Sequence, residues 1–241
     1  MRKYLLIMLA LPVILGACRH VFGKRVTGNG IIRTEERSVS NFKNVDVRGA
    51  AKVYVAQGDR HSVRIEGDEN LLNYMEVIQE DDKIIVREKP GFNLRPSGDL
   101  NVFVTAAAFN KIEASGACDI IGKNKIANSE ALGLHVSGSG DIRMEVDAPS
   151  LTAEVSGSGN IILKGQTKDV NLELTGAGHA HCYDLLAENA RVDITGAGSA
   201  EVFASVKLDA DVSGAGSVTY KGNAKDVNQH VSGAGSVKRV D

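Results

Sequence analysis

The chain has 241 residues, enough for one large domain or two modest ones, and its 43% hydrophobic content permits a substantial core. Aromatics make up 5%, Trp is absent and 26 residues are Gly, a mixture that points to short strands and tight turns and away from a helical bundle. With 28 Lys+Arg against 30 Asp+Glu the formal net charge is -2, so no basic surplus argues for nucleic acid.

The first residues read as an address. Met1-Arg2-Lys3 is a short basic region, and "YLLIMLALPVIL" is apolar but too short to span a bilayer. The run ends in Leu15-Gly16-Ala17-Cys18, which resembles a bacterial lipoprotein lipobox. That resemblance implies a signal peptide over 1–17, cleavage before Cys18 and acylation of its thiol. An ordinary secretory signal with an incidental Cys is the alternative. Two or three acyl chains hold a protein stably on a membrane, whereas one binds marginally. Arg19 and His20 follow Cys18 without the acidic cluster that resembles surface-export signals. By resemblance the outer membrane is expected, its face left open, with residues 18–27 as a lipidated tether.

Residues 28–110 form a less regular β part. "NVDVRGAAKVYVAQGD" alternates through Val45, Val47, Val53 and Val55, with Gly49-Ala50 at its bend. "HSVRIEG", "DKIIVREK" and "DLNVFVTA" read as further strands, and 68–79 as a short helical or irregular excursion. The stretch 88–99, with Pro90 and Pro96, is expected to leave the core.

From 111 to 241 one pattern repeats. Small-residue turns place Gly116, Gly138, Gly157, Gly176, Gly196, Gly214 and Gly233 at steps of 22, 19, 19, 20, 18 and 19 residues. A near-constant period of about 20 residues marks a solenoid. Apolar residues alternate before each turn (Leu132, Leu134, Val136) and after it (Ile142, Met144, Val146), so each coil is strand, tight turn, strand with one face inward. The expected fold is all-β: a single-stranded parallel β-helix with ~19–20-residue coils, two clear strands and a looser third side per coil. The Ser/Thr beside each Gly would stack as a ladder that satisfies local backbone groups. Gln229 and Arg239 stand at inward positions of the last coil, as a polar cap requires.

The repeat also answers for the glycines as chemistry. Seven turns at one period are coil corners, not seven nucleotide sites. "GACDIIGKN" fails as a phosphate loop, because five residues separate Gly116 from Gly122 where four are needed and Asn124 replaces Ser/Thr. Cys118 and Cys182 lie three coils apart, about 14 Å, too far for a disulfide. His179 and His181 share an outward face and are a weak metal candidate; the plain alternative is a solvated pair. The residues closing the first corners, Asp119, Asp141 and Asn160, would stack at ~4.8 Å on the surface. Such a column could hold Ca²⁺ or contact a glycan, although Asp and Asn are also ordinary turn residues. Tyr54, Phe103 and Tyr220 are scattered along the chain, so no aromatic platform for a sugar is visible.

"GNGIIRTEERSVSNFKNVDVRGAAKVYVAQGD", then "LNVFVTAAAFNKIEASGACDI" and the serial SGSG and GAG turns, resemble the putative auto-transporter adhesin, head GIN domain family, over roughly 28–241. The resemblance implies a right-handed β-helix in one continuous head domain, with no catalytic residues to carry across. Cys118 departs from the Gly of the other turns, so a wider first corner is expected. The function this implies is non-enzymatic: a lipid-anchored envelope protein presenting a β-helical binding surface to a glycan or another envelope component. Its partners are the membrane through the lipid and that surface component, with no nucleic acid, nucleotide or cofactor. The alternatives are a carbohydrate-active enzyme using Asp119 and Asp141, and a periplasmic structural or assembly protein.

Overall fold

The computed structural model describes residues 23–241; the stretch 1–17 read as a signal peptide, and Cys18, lie outside them. The chain is a β-solenoid of about seven turns with ~19-residue coils, as the repeat predicts. Each coil runs up one parallel sheet, turns a corner at a glycine, and runs back along a second sheet. Strands Lys111–Gly116, Leu132–Gly138, Lys207–Gly214 and Asp226–Gly233 belong to the first sheet, and Asp119–Gly122, His179–Cys182, Ser199–Phe203, Ser217–Lys221 and Ser236–Arg239 to the second. In the middle coils the third side is not loose. Val146 pairs with Gly165 and Gly165 with Leu185, so Asp141–Gly157 and Asn160–Gly176 run unbroken for 17 residues each.

Register explains why glycine recurs at the corner. Gly49, Gly116, Gly138, Gly157, Gly176, Gly196, Gly214 and Gly233 stack directly on one another, an eighth member preceding the seven of the repeat. At Gly157 φ is +128°, and a Cβ there would lie 2.4 Å from the carbonyl oxygen of Gly138. Both the backbone angle and the stacking distance therefore require a residue without a side chain. The corner N–H groups donate to main-chain carbonyls one coil below, Ser158 to Gly138 at 2.9 Å and Ala177 to Gly157 at 2.8 Å. The stacked hydroxyls are not what satisfies these groups.

Inside, apolar ladders run the length of the stack. Val45, Ile112, Leu134, Ala153, Leu172, Val192 and Ala210 form one buried column, which ends at exposed Gln229. Burial of each large aliphatic side chain contributes about 1.5–3 kcal/mol, so these ladders hold the coils together. Gln229 is thus a polar end to the column. Arg239 bends away to donate to Asn223 Oδ1 at 3.0 Å.

The first end is closed differently. Ile32–Arg37 pairs antiparallel with Ser62–Asp68, which pairs antiparallel with Asn101–Ala106. Met75–Glu80 likewise caps Lys83–Glu88 in the first sheet. A single helical turn, Glu69–Leu72, buries Leu71 and Leu72 beneath this end. The stretch 88–99 does not leave the core as expected. Its Phe92–Arg95 segment pairs in parallel with Lys24–Thr27, and Leu94 is buried. Pro90 and Pro96 bracket that strand, and the alternation of Phe92 and Leu94 brings it back. Lys24–Thr27, expected within the tether, is therefore part of the folded body.

Candidate binding surface

The corner-closing residues stand where the repeat places them. Asp119 shares register with Lys52, and Asp141, Asn160, His179, Ser199, Ser217 and Ser236 pair in succession. Their oxygens are used within the column. The Asp141 N–H donates to Asp119 Oδ1 at 3.2 Å, and Asn160 donates its N–H at 3.0 Å and its Nδ2 at 2.8 Å to Asp141 Oδ1. Arg143 donates to the other oxygen of Asp141. His179 and His181 share an outward face with ring centroids 6.2 Å apart, but each turns its Nδ1 along the stack, to Ser199 Oγ at 2.6 Å and Glu201 Oε2 at 2.9 Å. Among the described residues, no three His, Cys, Asp or Glu side chains converge to hold a metal.

Among the described residues the two thiols, Cys118 and Cys182, are free and buried. Burial pushes Cys118 up to about 11 and Cys182 up to about 12. The first corner is not wider: Ala117 N–H donates to Gly49 O at 2.8 Å, like its counterparts above. Cys118 is buried at the corner position where the following coils carry Gly140, Gly159, Gly178, Gly198, Gly216 and Gly235. Its thiol approaches Gly49 O at 3.2 Å and Ser115 O at 3.5 Å.

The outward face of the second sheet carries a column that the sequence reading missed. Arg64, Phe103, Tyr54, Ile121, Arg143, Ile162, His181, Glu201, Thr219 and Lys238 follow one another in register. Tyr54 and Phe103, scattered in sequence, are stacked, with centroids 5.1 Å apart and planes 16° from parallel. Arg64 covers the far side of Phe103 at 4.4 Å, and Lys123 lies 5.1 Å from the Tyr54 ring centre. These cations occupy the ring faces and leave the edges outward. Next along the column, a groove of about 400 Å³ opens beside Ile121, Lys123, Arg143, Ile162 and Tyr183. It exists because the strand Asp119–Gly122 stops at Gly122 while the next coil continues. The signal was present in "KVYVAQ" and "NVFVTA": equal alternation puts Tyr54 and Phe103 at the same outward position once the two strands pair.

The first sheet's outward face has the opposite character. Glu113, His135, Glu154, Glu173, Asp193 and Asp211 stack in register. Below them, burial pushes the Asp46 carboxyl up, but hydrogen bonds from Arg48 and Lys83 outweigh this and hold it below the usual carboxylate range. The first sheet's column is thus mainly acidic and partly paired with Lys83, Lys111 and Arg191, whereas the second sheet's column is aromatic and cationic at its Arg64–Tyr54 end.

Residues 41–224 match the family described as "Putative auto-transporter adhesin, head GIN domain". Among curated proteins, none matches. The fold is similar to that of a putative adhesin from Bacteroides fragilis, at 21% identity and a TM-score of 0.84, covering 89% of this chain and 100% of the other. A putative adhesin from Parabacteroides distasonis is similar at 24% identity and 0.74, and a putative lipid binding protein from the same species at 23% and 0.73; each comparison covers 90% of this chain and 100% of the other. Likeness at these identities establishes the fold.

Proposed function

Because the chain belongs to the putative auto-transporter adhesin, head GIN domain family, we propose that it is a non-enzymatic, lipid-anchored envelope protein whose rigid solenoid presents a binding surface. The observation that carries this reading is the continuous outward column of the second sheet. It spans ten strands of fixed register and brings Phe103, Tyr54, Ile121 and Ile162 to one flat face. These four apolar side chains, interrupted by Arg143, lie on the side of the strands that faces away from the core, and a cluster of partly exposed apolar groups there suits contact with a partner. With the ring faces covered, a ligand meets ring edges and the cations Arg64 and Lys123. That combination suits an envelope glycan or other surface polymer that carries negative charge. Asp119 and Asp141 act here as acceptors for the backbone of the next coil, which ties them to the stack.

Anchoring rests on the Cys18 lipobox; among the described residues, no helix is long and apolar enough to cross a membrane. Proteinase K added to intact cells, with a lysed control in which the chain is cut, tests the adhesive role. Digestion on intact cells is the expected result. Protection on intact cells with digestion after lysis would place the solenoid inside the outer membrane and sink adhesion.

A further inference from the structure

We infer that the N-terminal end of the solenoid is a docking patch for an anionic lipid bilayer, so that the body stands on the membrane it is tethered to. This rests on the acylation of Cys18 proposed above. Two adjacent apolar residues, Ile31 and Ile32, are 50% and 52% exposed at this end. A network of hydrogen bonds holds them in place. The Glu69 N–H donates to Ile31 O at 2.8 Å, Asn70 Nδ2 donates to Thr27 O at 2.9 Å, and the Asn29 N–H donates to Asn70 Oδ1 at 2.9 Å. The same knot includes Arg95, whose carbonyl accepts from Gly28 N–H at 2.9 Å.

Charge at this end favours a negative surface. Lys24, Arg25, Arg33 and Arg95 are exposed at this end; of its acids, Glu69 lies 3.7 Å from Arg33, Glu35 2.8 Å from Arg37 and Asp99 2.8 Å from Lys52, Asp68 is buried against the Gly30 and Ser97 donors, and Glu36 is exposed. Each Lys or Arg brought against an anionic leaflet strengthens attachment about fivefold. A pair of exposed isoleucines entering the interface adds apolar contact to that attraction.

Chain length then fixes the occupant. Cys18 precedes Gly23, the first described residue, by five positions. Fully extended, that interval reaches ~18 Å, so an acylated Cys18 keeps this end of the solenoid within about one small-domain radius of the bilayer. No other flank is so constrained. From Glu36, which pairs with Arg64, the column runs ten strand steps to Lys238, roughly 48 Å at ~4.8 Å each. Docking at the N-terminal end therefore points the last coil away from the membrane.

The test uses the full mature chain reconstituted in vesicles. One set contains equal parts phosphatidylglycerol and phosphatidylethanolamine, the other phosphatidylcholine alone. Hydroxyl-radical labelling is read by mass spectrometry at Ile31 and Ile32, with Val231 at the far end as the reference. The expected result is labelling at least threefold slower on the anionic vesicles, abolished in the double variant K24E/R25E, with Val231 unchanged. Equal labelling of Ile31 and Ile32 on both vesicle types, or protection that survives K24E/R25E, overturns the patch while leaving anchoring intact. The mass of the N-terminal peptide separates the two readings: an unmodified Cys18 overturns both together.

Discussion

Tyr54 and Phe103 lie ring on ring across adjacent parallel strands, 5.1 Å between centroids, with the whole 88–99 stretch between them in sequence. Arg64 and Lys123 complete a four-member stack of cation, ring, ring and cation. The rings are half-buried, so area alone gives them modest weight. Stacking geometry adds about 0.5–1.5 kcal/mol beyond that area. A double-mutant cycle on Tyr54→Ala and Phe103→Ala, followed by urea denaturation, is expected to give a coupling of about 1 kcal/mol. Strict additivity would mean that the rings are neighbours without an energetic contact.

The glycine column makes a sharper claim. Gly157 sits at φ +128° with Gly138 O 2.4 Å from where a Cβ would lie, and neither coil can retreat without parting the stack. Gly157→Ala is expected to cost about 3 kcal/mol or more, from a disfavoured backbone region and displaced ladder bonds together. Gly98 provides the contrast, because nothing lies within 4 Å of its would-be Cβ. Gly98→Ala is expected to change stability by less than about 0.5 kcal/mol. Comparable losses for the two variants would refute the stacking argument.

The same contrast shows what the sequence made legible. A period of about 20 residues with two-residue alternation determines the coil, its inward face and its corner, because stacking identical turns leaves few alternatives. Gly116 through Gly233 could therefore be placed from the sequence, and Asp119, Asp141 and Asn160 could be put in one column. The binding face was not legible for a different reason. Tyr54 and Phe103 belong to the part of the chain without a period, where a hairpin, a helical turn and a Pro-bracketed strand separate strands that end up adjacent. Nothing local in either strand names the other as its partner. The Cys118 corner shows a related limit: the turn pattern predicts a wider bend, yet the corner keeps its 2.8 Å bond from Ala117 N–H to Gly49 O with the thiol buried against the carbonyls of Gly49 and Ser115.

Burial of the thiols leads to a kinetic prediction. Cys118 is pushed up to about 11 and Cys182 up to about 12. At pH 8 the reactive thiolate is then on the order of one part in a thousand or less, against about a quarter for an unperturbed thiol. Iodoacetamide is expected to leave both residues unmodified in the folded protein and to label both together once urea unfolds it. The neutral thiols also favour the folded state, fully below the unfolded value of about 8.5. That contribution is lost as pH rises through the folded values. Rapid labelling of Cys118 alone in native buffer would show that the first corner opens by itself.

Asp68 ties the N-terminal segment to the body without a cation. Ser97 Oγ donates to its Oδ1 at 2.7 Å, Ser97 N–H donates to its Oδ2 at 2.9 Å, and Gly30 N–H donates to Oδ1 at 2.7 Å. The Ser97 hydroxyl does most to hold the carboxyl below its usual range, against the opposing effect of burial, with the backbone donors assisting. A carboxyl lowered in the folded state contributes stability that is fully present above its unfolded value, near 3.9, and is lost as pH falls through the folded value. Asp68→Asn retains the shape but has only one oxygen for three donors, and is expected to cost about 2 kcal/mol at pH 7. The gap between the native protein and the variant should shrink as pH is lowered from about 5 towards 2, because the native carboxyl then protonates. Amide exchange locates the effect: Gly30 and Ser97 should lose protection in the variant, while the Ala177 amide in the coil stack keeps it. A stability gap that stays constant down to pH 2 would mean that the charge on Asp68 plays no part in holding the segment.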